Sequence, residues 1–342
     1  MRSGCSVAPE PRKWSGQSDI MVMPTVAVVL GLLLLVWASE RFVIGASAIA
    51  RNLCVSPLMI GLTVVGIGTS APEIFVSATA AASGFPEVAI GNALGSNIAN
   101  MGLVVGATAL VVPLSIRSRT LKREFLLMFV VFALAGVLLS DQVLSRVDGV
   151  LLMSGFAALM GLMCVISLNA RRRDPLGDEY AQEIPDTMPT LVALMWLIVG
   201  LVTLLIASRM IVWGAVEIAR LLGVSDLIMG LTIVAIGTSL PELAASIASG
   251  LKGEPDIAIG NIIGSNMFNV LPVLALPGLI APGVISPEVW DRDYVVMLGV
   301  AVLLFLVAYG FRGPGRVNRF GGGLLLAVFG AYQVLLYQQA MA

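Results

Sequence analysis

The chain has 342 residues, 58% of them hydrophobic and 12% charged, with a formal net charge of −1. A soluble domain carries about a quarter charged residues, so a soluble globular fold is excluded and the unit to count is a membrane span of about 20 apolar residues. The near-zero charge offers nucleic acid no basic surface, and the absence of histidine removes His-based metal sites and Ser-His-Asp chemistry.

The polar tail 1–20 contains no apolar run and reads as disordered rather than as a signal peptide. Span 1 covers about 21–51, is long enough to tilt, and carries Glu40 and Arg41. Ser56-Pro57, a capping residue followed by proline at the first helical position, opens span 2 at about 57–82. Gly84-Phe85-Pro86 turns tightly into span 3, about 86–112. Arg117, Arg119, Lys122 and Arg123 make a basic loop, span 4 covers about 124–140, 141–148 is a turn, and span 5 covers about 149–168. The polar stretch 169–188 reads as a cytoplasmic linker between a first half, 21–168, and a second half, 189–342. Spans 6 to 10 follow at about 189–221, 226–250, 255–280, 291–311 and 320–339. The three cysteines, Cys5, Cys54 and Cys164, are isolated and read as small apolar residues.

One stretch occurs twice. An offset of 169 residues maps 61–106 onto 230–275 without a gap, with about half the aligned residues identical. The identities fall mostly on Gly, Thr, Ser, Pro, Glu and Asn rather than on interchangeable aliphatics. Five spans per repeat is an odd number, so the halves must face opposite ways. The expected fold is therefore an all-α integral membrane protein of ten transmembrane helices, built as two inverted five-helix repeats, the plan of many secondary transporters. Lys and Arg gather in the 117–123 and 169–188 connections and around 312–319, so that side is cytoplasmic and both termini face outward.

The chemistry lies in the repeat. Pro72 cannot donate a backbone hydrogen bond, and Gly66 and Gly68 loosen the helix before it, so span 2 should break near mid-membrane. Carbonyls freed around 66–69 need partners that lipid does not offer. Thr69 and Ser70 add hydroxyls and Glu73 a carboxylate; Ala235, Thr238, Ser239, Pro241 and Glu242 repeat the set. A carboxylate inside a span is costly, and two facing each other repel unless a cation lies between them or one takes a proton. One Ca2+ neutralises both and wants about six to eight oxygens, which two bidentate carboxylates and threonine carbonyls approach. Ser70, Ser239, Ser96 and Ser265 with nearby carbonyls would suit Na+. Asn92, Ser96 and Asn100 fall four apart and share one helix face, forming an opposite wall that Asn261, Ser265 and Asn269 repeat. Gly91 and Gly95, like Gly260 and Gly264, let another helix approach closely. Glu40, Arg41, Arg209 and Glu217 have no partner of the same type in the repeat and read as interface or intrahelical ion pairs.

The paired GTS-x-PE and GN-x-x-GSN motifs resemble the calcium/cation antiporter superfamily, the sodium/calcium exchangers, in their compact prokaryotic form. The resemblance implies Na+/Ca2+ exchange by alternating access, with spans 1 and 6 sliding against a fixed site, and no cofactor beyond the transported ions. It implies Ca2+ held by Glu73 and Glu242 with the Thr69 and Thr238 carbonyls, and Na+ sites lined by Ser70, Ser96, Ser239, Ser265, Gly66 and Ala235. Asn100 and Asn269 stand where some relatives carry aspartate, which disfavours K+ co-transport. Exchange of Ca2+ or another divalent cation for H+ remains the alternative, with a cation channel behind it. No catalytic constellation points to an enzyme.

Overall fold

The computed structural model describes residues 17–52, 57–116, 120–170, 188–221, 235–309 and 315–341. Residues 1–16 of the polar tail, most of the 169–188 linker, Ser56, Arg117 and Arg119 lie outside them, while residues 17–20, expected to be disordered, are helical. Helices dominate, as an apolar chain requires where lipid cannot satisfy backbone polar groups.

Helix α1 (Gln17–Asn52) is the long first span and holds Pro24 inside it. Pro57–Ile60 runs through a widened turn into α2 (Gly61–Thr69), and α3 (Ala71–Ala82) follows a 46° bend. Helix α4 (Pro86–Val111) leads to strand β1 (Leu114–Ile116), α5 (Thr120–Leu139), β2 (Val143–Leu144) and α6 (Arg146–Ala170). The second half has α7 (Thr190–Leu221), α8 (Ala235–Thr238), α9 (Leu240–Leu251), α10 (Pro255–Ile280) and β3 (Gly283–Val284). After a widened turn at Val289–Tyr294 come α11 (Val295–Ala308), β4 (Gly315–Val317) and α12 (Arg319–Met341).

Among the described residues six helices are long and apolar enough to cross a membrane, and the bent α2–α3 pair makes a seventh. Ten spans were expected from the sequence. Helix α5 has the length but opens on Lys122, Arg123 and Glu124, while α9 and α11 have 12 and 14 residues, short of the roughly 20 that a bilayer needs. The stretch 222–234, which would complete the seventh expected span, lies outside the described residues.

Backbone detail recurs at the 169-residue offset. Ser70 and Ser239 share one non-helical conformation (φ −81°, ψ 4° and φ −86°, ψ 3°). Gly84 and Gly253 both take positive φ, 85° and 78°, in the turn before α4 and α10, a conformation that only glycine adopts freely. Widened turns start at Asn100 and at Asn269.

Helices α1 and α7 cross with their backbones touching. A methyl group on Gly200 would stand 2.5 Å from the Phe42 nitrogen, and one on Gly214 would stand 2.5 Å from the Pro24 oxygen. Gly45 meets Ala193 and Leu197 in the same way, and Gly31 meets Ala207 and Ile211. These pairings run in opposite chain directions, so α1 and α7 are antiparallel. Asn52 closes one end by donating to the Met188 carbonyl at 2.9 Å.

The sequence reading placed loops where two short ribbons form. Strand β1 pairs antiparallel with β4, Ser115 opposite Arg316. Strand β2 pairs antiparallel with β3, Val143 opposite Val284. Each ribbon takes one strand from each half.

Helix α10 is the core of the molecule: every residue from Ile257 to Phe268 is buried. A helix buried all round needs small residues wherever a neighbour's backbone comes close. Gly264 supplies one against Leu62, and Gly61 faces the Ile257 carbonyl from the other side, 2.6 Å from where its methyl would be.

Candidate functional site

Pro72 and Pro241 stand in the first turns of α3 and α9, each one residue before a glutamate. Proline is at home in the first turn of a helix, so each sequence starts a new helix at mid-span and puts its carboxylate at that helix's N-terminus. Glu73 and Glu242 are both fully buried. The helix dipole favours a carboxylate there. The break differs from expectation in one respect: the Gly66 carbonyl is not free, because it accepts the Ser70 N–H at 3.1 Å.

Hydroxyls and amides converge on the two acids. Ser70 Oγ and Ser265 Oγ each donate to Glu242 Oε1 at 3.4 Å. Thr69 Oγ1 donates to Asn261 Oδ1 at 3.0 Å and lies 3.4 Å from Ser265 Oγ. Asn92 Nδ2 donates to the Glu73 backbone carbonyl and to Ser77 Oγ, both at 3.2 Å. Asn261 Nδ2 repeats this with the Glu242 carbonyl at 3.5 Å and Ser246 Oγ at 3.3 Å. The first half's broken span thus touches the second half's acid, across more than 170 residues of chain.

The structure gathers most of the sequence-derived residues. Thr69, Ser70, Ser96, Asn100, Thr238, Ser239, Ser265 and Asn269 are all buried. Gly66 packs against Ser265 and Phe268 of α10. Ala235 opens α8 by its backbone, and its side chain lies outside what is described. Among the described residues several buried polar atoms have no hydrogen-bond partner: both Glu73 carboxylate oxygens, Glu242 Oε2, Ser96 Oγ, Ser239 Oγ, and both amide atoms of Asn100 and of Asn269. Burying such groups unpaired is expensive. Two carboxylates surrounded by hydroxyl and amide oxygens offer hard-oxygen ligation, which suits Ca2+ and Na+ rather than a soft metal. Among the described residues no third His, Cys, Asp or Glu joins them.

Of the charged residues outside the site, Glu40 makes the interface ion pair expected of it and two arginines lie on aromatic rings instead. Glu40 pairs with Lys252 at 3.2 Å, between helices. Arg41 lies over the Trp196 ring and Arg209 over the Phe75 ring, at 5.1 and 5.0 Å from the centroids, a cation–π arrangement rather than an ion pair.

Two pairs of residues were passed over. Ser77 and Ser246, one turn beyond the acids, tie Asn92 and Asn261 in place. Arg123-Glu124 and Arg292-Asp293 are the second: both acids are buried, and each is bonded to the arginine before it. The offset of 169 maps Ser77 onto Ser246 and Arg123-Glu124 onto Arg292-Asp293, and was the signal available.

Comparison with known proteins points to one family. The sequence pattern of the family described as sodium/calcium exchanger protein matches residues 23–165 and 192–338. A protein of Alkalimonas amylolytica that carries the name antiporter CaxA is 51% identical, over 93% of this chain and 99% of its own. The inner membrane protein YrbG of Escherichia coli is 44% identical, over 93% and 98%. A solved structure of the sodium-calcium exchanger NCX_Mj, soaked with Na+ and Ca2+, superposes with a TM-score of 0.77 at 33% identity, covering 91% of this chain and 97% of that one.

Proposed function

The chain belongs to the sodium/calcium exchanger family, a family of multi-pass membrane cation antiporters rather than enzymes, and from that premise we propose that it exchanges Na+ for Ca2+ by alternating access. In this reading the frame is ten spans in two inverted halves. The antiparallel course of α1 and α7, which the 169-residue offset maps onto each other, supports that reading.

Glu73 and Glu242 hold Ca2+ with the Thr69 and Thr238 carbonyls. Ser70, Ser96, Ser239 and Ser265, with Gly66 and Ala235, line the Na+ positions, and Asn100 and Asn269 complete the wall. The observation that carries the reading is the pair of fully buried carboxylates, three of whose four oxygens have no hydrogen-bond partner within bonding geometry among the described residues. A cation resolves their burial cost and their repulsion together. Two acids can hold one Ca2+ or, with neighbouring hydroxyls, Na+ ions that displace it. Shared ligands are what make the two ions compete, and competition at one site is the basis of exchange.

Vesicles containing the protein and loaded with Na+ accumulate radioactive Ca2+ on dilution into Na+-free medium. Glu73→Gln and Glu242→Gln each reduce that uptake to background. Uptake unchanged in both variants refutes the site. A proton gradient that drives uptake equally well without Na+ replaces the counter-ion and leaves the Ca2+ site standing.

A further inference from the structure

Proline at position 241 has no N–H, so the Gly237 carbonyl four residues earlier loses its helical donor. Ser208 on α7 supplies one, its Oγ donating to Gly237 O at 2.7 Å in a buried setting. The 169-residue offset provides the same three groups in the first half: Pro72, Gly68 and Ser39. There the bond is not made. Ser39, also buried, donates to Val36 O of its own helix at 2.9 Å, and Gly68 O accepts a backbone N–H at the break. Identical chemistry is built into both halves and used in only one of them.

The two serines ride on one body. Helices α1 and α7 are held together by the close glycine crossings at Gly31, Gly45, Gly200 and Gly214, which obey the two-fold relation. Their links to the rest do not: α1 reaches Lys252 through Glu40, whereas α7 reaches Phe75 through Arg209. If the pair translates across a two-fold axis, the motion that withdraws Ser208 from Gly237 carries Ser39 toward Gly68, because the axis reverses the sense of motion between the halves.

We propose that Ser39 and Ser208 are positioning residues that pass one hydrogen bond between the broken spans, Ser208 to Gly237 in the access state seen here and Ser39 to Gly68 in the opposite one. The proposal rests on the alternating-access reading above. Each bond holds the α1–α7 pair against one broken span, and Gly68 and Gly237 lie within five residues of Glu73 and Glu242. The ions at those acids and the position of the pair are thereby linked through the same short segments.

The test measures distance by pulsed electron resonance between spin labels at Val22→Cys on α1 and Val137→Cys on α5, both exposed, with Cys5, Cys54 and Cys164 replaced by serine. The full chain in lipid shows two distance populations whose ratio responds to Na+ and Ca2+. Ser208→Ala depletes the population that matches this structure and Ser39→Ala enriches it, each by roughly two- to tenfold, the size of one net hydrogen bond. Ser208→Thr and Ser39→Thr keep the hydroxyl and restore the ratio. A structural role alone would move both alanine variants the same way. Equal or absent shifts, with two populations present in the parent, overturn the switch and leave exchange untouched. A single ion-insensitive distance in the parent overturns alternating access and the switch with it.

Discussion

Asp293 receives hydrogen bonds from Arg292 Nε at 2.6 Å, Arg292 Nη2 at 2.9 Å and Tyr332 Oη at 2.8 Å. Its repeat mate Glu124 receives Arg123 Nε and Nη2 on a single oxygen, and Oε2 is left without a partner. The difference has a plain cause: the offset places Met163, with no hydroxyl, where the second half has Tyr332. Tyr332→Phe therefore removes a donor from a buried carboxylate, worth about 1.5–3 kcal/mol for a bond to a charged group. The expected outcome is a lower unfolding midpoint in detergent with Ca2+ uptake retained, since these bonds of the pair involve none of the candidate ion ligands; an unchanged midpoint contradicts the bond's contribution. Residues of this kind divide what the sequence discloses from what it does not. Ser77 and Ser246, or the two Arg–acid pairs, were readable as identities or near-identities at the known offset. Tyr332 on Asp293 was not, because a contact between helices 39 residues apart leaves no periodic trace.

At the scale of elements, the glycines that matter are those whose missing side chain lets backbones meet. Gly200 faces the Phe42 backbone at a distance no methyl group can share, and backbone atoms cannot rotate aside. Gly200→Val forces α1 and α7 apart, at a cost of about 1–3 kcal/mol or more for overpacking, and should abolish uptake while lowering yield of folded protein. Gly330→Ala on α12 is the control, because nothing lies within 4 Å of its added methyl among the described residues; loss of uptake in both variants would show that helix propensity or expression, not the crossing, is being measured. The broken spans were legible because Pro72 and Pro241 recur at one register beside glycines, whereas Pro24, Pro272 and Pro277 stand within helices that run on. The widened turns at Asn100 and Asn269 were not, since no residue type encodes an inserted backbone residue. Nor were the ribbons: strands of two or three residues are too short to show alternation. For Gly91 and Gly95 no atom of the described residues stands within 4 Å of an added methyl, whereas Gly264 makes the backbone contact expected of the motif.

Sidedness belongs to the molecule as a whole. The β1–β4 ribbon sets the connection after α4 beside the one before α12, and Arg319 Nε donates to the Leu110 carbonyl at 3.1 Å at the same end. A methyl on Gly250 would lie 3.8 Å from Leu114, so Lys252 belongs there too. That end therefore holds Arg123, Lys252, Arg316 and Arg319, with Arg117, Arg119, Lys122 and Arg312 adjacent in sequence. The β2–β3 ribbon marks the other end, where Arg146 and Arg292 stand among Asp141, Asp148, Glu288 and Asp291. Helix α12 starts at Arg319 beside the first ribbon and reaches Gln339, which bonds Arg292, so it runs from the basic end to the sparse one. From the rule that positive connections stay in the cytoplasm the expected place of the end of α12 is outside. A phosphatase that folds only in an oxidising compartment, fused after Ala342, should be active, and the same enzyme inserted at residue 178 of the linker should be inactive. The reverse pattern would invert the whole orientation without disturbing any intramolecular distance. Activity at both positions would break the antiparallel frame itself, since a linker and a terminus separated by an odd number of crossings cannot share a side.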